Sequence, residues 1–289
     1  MKSKPYFYQV YSNAVYIIES LEDETKTGKW LYEDIVAFSY RDDVLRIEYF
    51  EFKSKLEFFQ ILNKIRREIN SYGILPIIHI EAHGDERGFE VAKSTEEISW
   101  SELNDHLIEI NIASQNNITL SLGICKGHYI NLDLADRFRS KTRCPYAINI
   151  SPQEQIGSNE IKYGFSSFYQ NLLISKDFGK AMEKMQEITS LNILRTTDSF
   201  VHQIMHTIKE EFLNANKIAA QLDDLFKNER ELLPGKNYNR NLREFKRFKK
   251  SFYKKQFEER WNHFLMIDLF VENKNRFPLF EEIWSDLFN

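Results

Sequence analysis

Two residues of this sequence could form a nucleophile and its proton-transfer partner. His83 directly follows the apolar run Pro76–Ala82, and Cys125 directly follows the run Ile118–Ile124. The thiolate is the reactive form of cysteine, and a nearby imidazole can take up the thiol proton and return it to a leaving amine. The two residues therefore predict acyl transfer by a His83–Cys125 dyad, in which the histidine is the general base and acid.

Glycines and a positive charge lie next to this pair. Gly84 comes one residue after the histidine and Gly127 two residues after the cysteine, so the backbone can turn sharply at both places. Lys126 adds a positive charge beside the thiol, and a helix is predicted to start near Asn131. The backbone amides of Gly84 and Cys125 are the predicted oxyanion hole.

Short apolar runs that position these residues predict a parallel sheet. The predicted strands are Val15–Ile18, Val44–Tyr49, Pro76–Ala82, Ile118–Ile124 and Tyr146–Ile150. Amphipathic stretches alternate with them, which indicates a mainly parallel sheet covered by helices on both faces. Reactive groups collect at the carboxyl ends of such strands, where the histidine and the cysteine would meet.

Two capping boxes mark helix starts between the strands. Ser54 with Glu57 precedes one amphipathic stretch, and Ser99 with Glu102 precedes another. The apolar residues that follow have helical spacing. They are Phe58, Leu62, Ile65 and Ile69 in the first stretch, and Leu103, Leu107 and Ile110 in the second.

The pattern changes after Pro152, where we predict no further strand. Residues 160–289 read as helical, with breaks near Ser175–Phe178 and at Leu233–Gly235. We therefore predict a core domain over residues 1–195 and a helical extension over residues 196–289 that regulates the core or senses a signal.

Composition narrows the class of protein. Net charge is −4, 42% of the residues are hydrophobic and 28% are charged, which is typical of a globular protein. The two cysteines form no disulfide framework, and the first residues lack the apolar run of a signal peptide. No apolar stretch reaches the roughly 18 residues of a membrane span. The sequence thus predicts a cytoplasmic protein with no membrane span.

Two motifs resemble a known family. The segment His79–Gly84 resembles the strand-His-x-x-x-His-Gly signature of the CHAT family, which comprises caspase- and separase-related cysteine peptidases. The segment Leu120–Gly127 resembles the family's second motif, an apolar strand that ends in the nucleophilic cysteine. The resemblance runs from about Val15 to Ile188 and includes Ile98–Leu103, Phe168–Leu172 and Ala181.

The resemblance implies a caspase-like three-layer α/β/α sandwich with His83 and Cys125 as the dyad. It also implies a protein substrate, no metal, no cofactor and, for prokaryotic members, a role as an effector protease in defence or signalling. The sequence departs from the family at Lys126–Gly127, where the turn is usually longer, and at Gly123–Ile124, where small residues are usual. These departures affect the expected substrate preference more than the dyad.

Substrate preference is expected to depend on two loops that carry carboxylates. In the caspase-like fold, the residue before the scissile bond sits between the loop after the histidine strand and the loop after the next strand beyond the cysteine. Here these loops carry Asp85 with Glu86 and Gln153 with Glu154. The charges predict a preference for lysine or arginine. The alternative is that these side chains are ordinary solvated loop residues.

Other histidines and the second cysteine have simpler interpretations. His79 lies inside its strand and is expected to be a hydrogen-bonded structural residue. His79 and His83 have the spacing of zinc ligands on a helix, and Cys125 with His128 adds another short spacing, but the context of the histidines is a strand. Metal binding is therefore disfavoured. Cys144 is predicted to be a small buried residue.

The extension contains a basic segment, Lys236–Arg260, with ten basic and three acidic residues. One interpretation is an amphipathic helix that packs its phenylalanines on the core and exposes its charges. The other is an activator site for a nucleotide signal, nucleic acid or an acidic partner protein. An alternative function for the whole chain is a catalytically degenerate scaffold that binds through this segment. The candidate activator-binding residues are Arg243, Lys246, Arg247, Lys249 and Lys250, and the phenylalanines are Phe245, Phe248 and Phe252.

Overall fold

The structure is a computed structural model that describes residues 10–21, 26–41, 45–208, 210 and 236–288. The described residues form two compact units, one ending at Thr196 and one starting at Thr197. The break predicted at Leu233–Gly235 lies outside the described residues.

The first unit is built on a six-stranded sheet with strand order β2-β1-β3-β6-β7-β8. All neighbours in it are parallel except β7 and β8, so the predicted mainly parallel α/β sheet is confirmed. Strands β4 and β5 form a separate antiparallel hairpin. The strands are β1 (Ala14–Ser20), β2 (Arg46–Glu51), β3 (Pro76–Ala82), β4 (Gly88–Glu90), β5 (Glu97–Ser99), β6 (Thr119–Gly123), β7 (Ile148–Ser151) and β8 (Asn192–Arg195).

Strand β8 corrects the prediction that no strand follows Pro152. It pairs antiparallel with β7, from Ile148 opposite Arg195 to Ser151 opposite Asn192. Its four residues are only half-buried and begin and end with polar side chains, so they carry neither a deep apolar run nor a clear alternation. The three-residue strands β4 and β5 were not predicted either, and they are too short to give a periodic signal.

Helices cover both faces of the sheet. Helices α1, α5 and α6 pack on one face in an apolar core with Val15, Ile17 and Ile77 of the strands. Helix α2 lies on the other face, where the Tyr16 hydroxyl donates to Glu68 at 2.7 Å, and α3 packs beside α2. The helices of this unit are α1 (Thr27–Ile35), α2 (Lys55–Tyr72), α3 (Trp100–Ala113), α4 (Leu134–Arg139), α5 (Ser158–Ser175) and α6 (Phe178–Gln186).

Both predicted helix starts are present. Ser99 accepts a hydrogen bond from the Glu102 amide at 3.2 Å, and the Glu102 carboxylate accepts from the Ser99 amide at 3.3 Å, so this capping box is confirmed. At α2, Ser54 caps the Glu57 amide, but the Glu57 carboxylate accepts from the amide of Lys53 rather than from that of Ser54. The predicted apolar stripes of both helices are buried.

The described part of the second unit is helical. It contains most of α7 (Thr196–Ile208), then α8 (Lys236–Phe264) and α9 (Phe280–Phe288). Aromatic residues form its core, where the rings of Phe200 and Trp261 meet edge to face with centroids 4.6 Å apart. The described helices include none with the length and hydrophobicity that a membrane crossing requires.

Candidate active site

The register of the sheet brings His83 and Cys125 to the same level. Strands β3 and β6 pair in parallel from Ile77 opposite Thr119 to Glu81 opposite Gly123, an offset of 42 residues throughout. The same offset separates His83 from Cys125, so both lie two residues beyond the last pair, at the carboxyl edge. Neighbouring strands lie about 5 Å apart. The register, extended by two residues, therefore puts the two predicted catalytic residues at the same edge of the sheet, after neighbouring strands.

The chain leaves β3 at His83 and enters the β4–β5 hairpin. The carbonyl of His83 accepts from the Glu90 amide at 2.8 Å, and the amide of Asp85 donates to the Gly88 carbonyl at 2.9 Å. A β-carbon on Gly84 would lie 2.5 Å from the side chain of Ile124, so no larger residue fits there. His83 itself is exposed, and its ring makes no hydrogen bond to any described residue.

Cys125 begins a tight turn at the end of β6. It is partly exposed, and its thiol makes one long hydrogen bond, 3.9 Å, to the carbonyl of Ile156. Lys126 then adopts a left-handed conformation with a φ of 56°, and its amide donates to the carbonyl of Glu154 at 3.1 Å. The loop after β7 thus holds the turn that presents the thiol.

The helix predicted near Asn131 differs in start and type. A 3-10 helix, Gly127–Asp133, begins two residues after Cys125, and α4 continues from Leu134. The amide of His128 donates to Pro152 at 3.0 Å, which pulls the first turn toward the loop after β7. Because this bond joins the helix to a loop that is distant in sequence, the start of the helix at Gly127 could not be predicted from the residues of the helix alone.

Two backbone amides at this edge make no hydrogen bond in the part of the chain that the structure describes. Within the described residues, neither Gly84 nor Cys125 donates its amide to an acceptor. Gly84 lies opposite Phe89 in an isolated antiparallel bridge, but the hydrogen bonds of this bridge are made by the residues on either side of the two. These are the two amides that the sequence predicts as the oxyanion hole.

A salt bridge connects the two loops of the site. The ammonium of Lys126, next to Cys125, lies 2.8 Å from the carboxylate of Glu86 in the loop after His83. This hydrogen bond raises the pKa of Lys126. The bridge joins the histidine loop to the cysteine turn across the edge of the sheet.

Two of the four predicted substrate-binding residues already have cationic partners in the chain. Glu86 pairs with Lys126, and Asp85 pairs with Arg87 at 3.0 Å. The backbone amide of Arg87, with its side chain second, lowers the pKa of Asp85. Gln153 and Glu154 are exposed.

A second group of polar side chains lies inside the sheet below this edge. His79 is fully buried, and its ring bonds to Glu81 through Nε2 and to Ser121 through Nδ1, both at 2.8 Å. This bonding matches the structural role predicted for His79. The order Ser121–His79–Glu81 is that of a hydrolase triad, but all three residues are fully buried, so no substrate reaches the hydroxyl.

Glu19 belongs to the same buried group and was missed by the sequence reasoning. It lies directly opposite Glu81 on the neighbouring strand β1 and is 1% exposed. The signal was present, because both carboxylates lie in strands that are mainly apolar.

Cys144 and His128, the remaining candidate residues, have hydrogen-bond partners of their own. Cys144 is fully buried and its thiol donates to Asn116 at 3.1 Å. His128 faces Asn131, whose amide donates to its Nδ1 at 3.1 Å, and burial lowers the pKa of His128. Among the residues that the structure describes, no three or more histidine, cysteine or acidic side chains are grouped as metal ligands.

The basic segment lies on α8. Phe248 and Phe252 are 68% and 48% exposed and stack on each other with ring centroids 6.1 Å apart, so the interpretation in which these two pack on the core is wrong. The side chain of Phe245 lies outside the described residues. Lys249 is buried, unlike the other four candidate activator residues, which are exposed: Arg243, Lys246, Arg247 and Lys250.

Comparison with known proteins identifies no relative: no family model matches the sequence, and no curated protein matches it either.

Proposed function

We propose that this protein is a regulated cysteine endopeptidase of the caspase-like, separase-related type, with His83 and Cys125 as its dyad. One observation carries the proposal: a histidine and a cysteine lie level at the carboxyl edge of neighbouring parallel strands, and both are accessible. Such an edge is where α/β proteins bind their ligands. The resemblance of the two motifs supports the same function.

In the proposed reaction, the Cys125 sulfur attacks the carbonyl carbon of the scissile peptide bond. His83 takes the thiol proton and transfers it to the leaving amine, and water then hydrolyses the acyl-enzyme. The amides of Gly84 and Cys125 donate to the oxyanion, because both are unused in the described structure. Gln153 and Glu154, the exposed members of the predicted loops, contact a lysine or arginine before the scissile bond.

The dyad is tested by Cys125→Ala and His83→Ala. Removing the nucleophile should abolish proteolysis, and removing the base should lower it by about 10²- to 10⁴-fold. The measurements are cleavage of candidate protein substrates and labelling of the thiol by a peptidyl acyloxymethyl ketone. Cys144→Ala is the matched control and should retain full labelling. Labelling that persists in Cys125→Ala would show that another residue is the nucleophile.

We also propose that an anionic ligand or acidic partner activates the enzyme through α8. The exposed Phe248 and Phe252 lie among exposed basic residues, a combination that suits an anionic partner with apolar groups. Lys249 is left out of this surface because it is buried. The contact residues proposed are Arg243, Lys246, Arg247 and Lys250.

Changing these four residues to glutamate tests the activator surface. Single-stranded RNA and inorganic polyphosphate serve as anionic probes, and ketone labelling of Cys125 is the readout. We expect the probe that activates the wild type to lose its effect, and rising salt to weaken that effect in the wild type. Lys180→Glu with Lys184→Glu, on α6, is the control. Full activation of the fourfold variant would rule out this surface.

The same observation on α8 favours one alternative function, a binding module without catalysis. In that case the probes should bind the wild type and Cys125→Ala equally, and the ketone should label neither.

A further inference from the structure

The buried carboxyl groups of Glu19 and Glu81 each pack against a glycine. A β-carbon on Gly123 would lie 2.9 Å from Cγ of Glu81, and one on Gly28 would lie 3.0 Å from Oε1 of Glu19. Both glycines therefore provide space for a carboxyl group, and neither has a positive φ that would require glycine for another reason. A larger side chain at either glycine would collide with a carboxyl group, so the fold requires glycine at these two positions in order to bury the two glutamates.

Each carboxyl group ties a different element to the sheet. Glu19 accepts from the amide of Gly28 at 2.7 Å and from the hydroxyl of Tyr49, on β2, at 2.7 Å. Glu81 accepts from the hydroxyl of Thr27 and bonds to His79. Lys26, the residue before α1, makes no side-chain cap, so the first turn of α1 depends on these strand residues.

The charged and titratable groups around Glu19 and Glu81 supply less positive charge than two ionised carboxylates would need. On β2, the hydroxyl of Tyr49 that bonds to Glu19 also lies 2.9 Å from Glu51. The ammonium of Lys26 lies 2.9 Å from Glu51, and its charge only partly offsets the increase in the pKa of Glu19. His79 faces Glu81 on β3, and Tyr169 of α5 packs edge to face on that ring. Two buried carboxyl groups on neighbouring strands, with one imidazole beside them, resist being ionised at the same time, because the two negative charges repel each other.

We propose that Glu19 and Glu81 hold one proton and one negative charge between them, and that this carboxyl pair positions the sheet edge that carries His83 and Cys125. His83 follows Glu81 by two residues, and Cys125 follows Gly123, which packs on Glu81, by two residues. The consequence for catalysis rests on the proposed peptidase function. Loss of this proton places two negative charges opposite each other, which loosens the first turn of α1 and misaligns the dyad at alkaline pH.

The direction of the pH dependence follows from Glu19. Burial, the largest cause, raises its pKa to about 7; the bond from Tyr49 opposes the increase, and the charge of Glu81 adds to it. The folded protein then binds more protons than the unfolded chain between the ordinary pKa of 4.5 and about 7. Stability is therefore lost as pH rises through this window.

Glu19→Gln tests the pair, because glutamine keeps the shape and cannot ionise. Its amide oxygen can accept from Gly28, and its amide nitrogen can donate to Tyr49. We expect the urea midpoint of the wild type to fall as pH rises from about 5 to about 8, and that of Glu19→Gln to lose this fall. Glu33→Gln, an exposed carboxylate of α1, is the control and should keep it. An unchanged fall in Glu19→Gln would overturn the carboxyl pair.

Labelling of Cys125 tests the positioning. The acyloxymethyl ketone requires an aligned site, whereas iodoacetamide requires only an accessible thiol. We expect the alkaline limit of ketone labelling to move upward by about one pH unit in Glu19→Gln, with iodoacetamide labelling unchanged. Identical ketone profiles in both proteins would overturn the positioning role. If the ketone labels no variant, the proposed function is wrong and its catalytic consequence with it, while the unfolding measurements still decide the pair.

Discussion

Strands β3 and β6 carry two histidine–nucleophile pairs in the same register, four residues apart. In the inner pair, His79 lies opposite Ser121, and the two side chains are bonded at 2.8 Å and fully buried. In the outer pair, His83 is exposed, Cys125 is partly exposed, and the thiol bonds elsewhere. The inner pair has the better hydrogen-bond geometry, but only the outer pair can meet a substrate. Solvent access, more than hydrogen-bond geometry, distinguishes the buried pair from the pair that we propose to be reactive.

The strongest way to break this comparison is to place a thiol in the inner pair. We expect Ser121→Cys, in a Cys125→Ala background, to react with iodoacetamide as slowly as the buried Cys144 does. The measurement is mass spectrometry of each cysteine over time. Rapid reaction at position 121 would show that the inner pair is accessible after all.

Replacing each histidine in turn compares how much the inner and the outer pair contribute to the stability of the fold. His79→Ala deletes a buried ring and removes one hydrogen bond each from the buried Glu81 and Ser121, so we expect a loss of about 3 kcal/mol in the free energy of unfolding. His83→Ala removes an exposed ring and should change it by less than about 0.5 kcal/mol. Urea denaturation measures both. Equal losses would contradict the assignment of separate roles.

The smallest expected effect concerns the inner hydroxyl alone. Ser121→Ala removes the bond to His79 Nδ1 and keeps the bond from His79 to Glu81. We expect a loss of about 1 kcal/mol and unchanged iodoacetamide labelling of Cys125. A large drop in labelling would mean that the inner pair takes part in the reaction.

The sequence predicts the strands of this site well because their signals are local. The runs before His83 and Cys125 are rich in apolar residues, and the Ser99–Glu102 box is a contact across three residues. These signals locate the edge of the sheet and the two residues on it.

Other features of the site depend on contacts between distant segments. The bond between Lys126 and Glu86 joins residues 40 positions apart, and the bond between Glu81 and Thr27 joins residues 54 apart. The burial of Lys249 and the exposure of Phe248 also depend on which segments pack beside α8, and the sequence of the helix alone does not determine this. Such pairings arise only when the chain is folded.

The antiparallel strand β8 is the last strand before the chain enters the second unit. The chain passes from β8 into α7 at Thr196, whose amide and hydroxyl both bond to the carbonyl of Ala147 just before β7. The loop at the far end of β7 holds the Cys125 turn through Glu154 and Pro152. The start of α7 is therefore fixed to the strand that leads into this loop by the β7–β8 ladder and by Thr196. Hydrogen exchange at the amides of Asn192 and Leu194, which face β7 in the antiparallel ladder, would measure how firmly β8 is held.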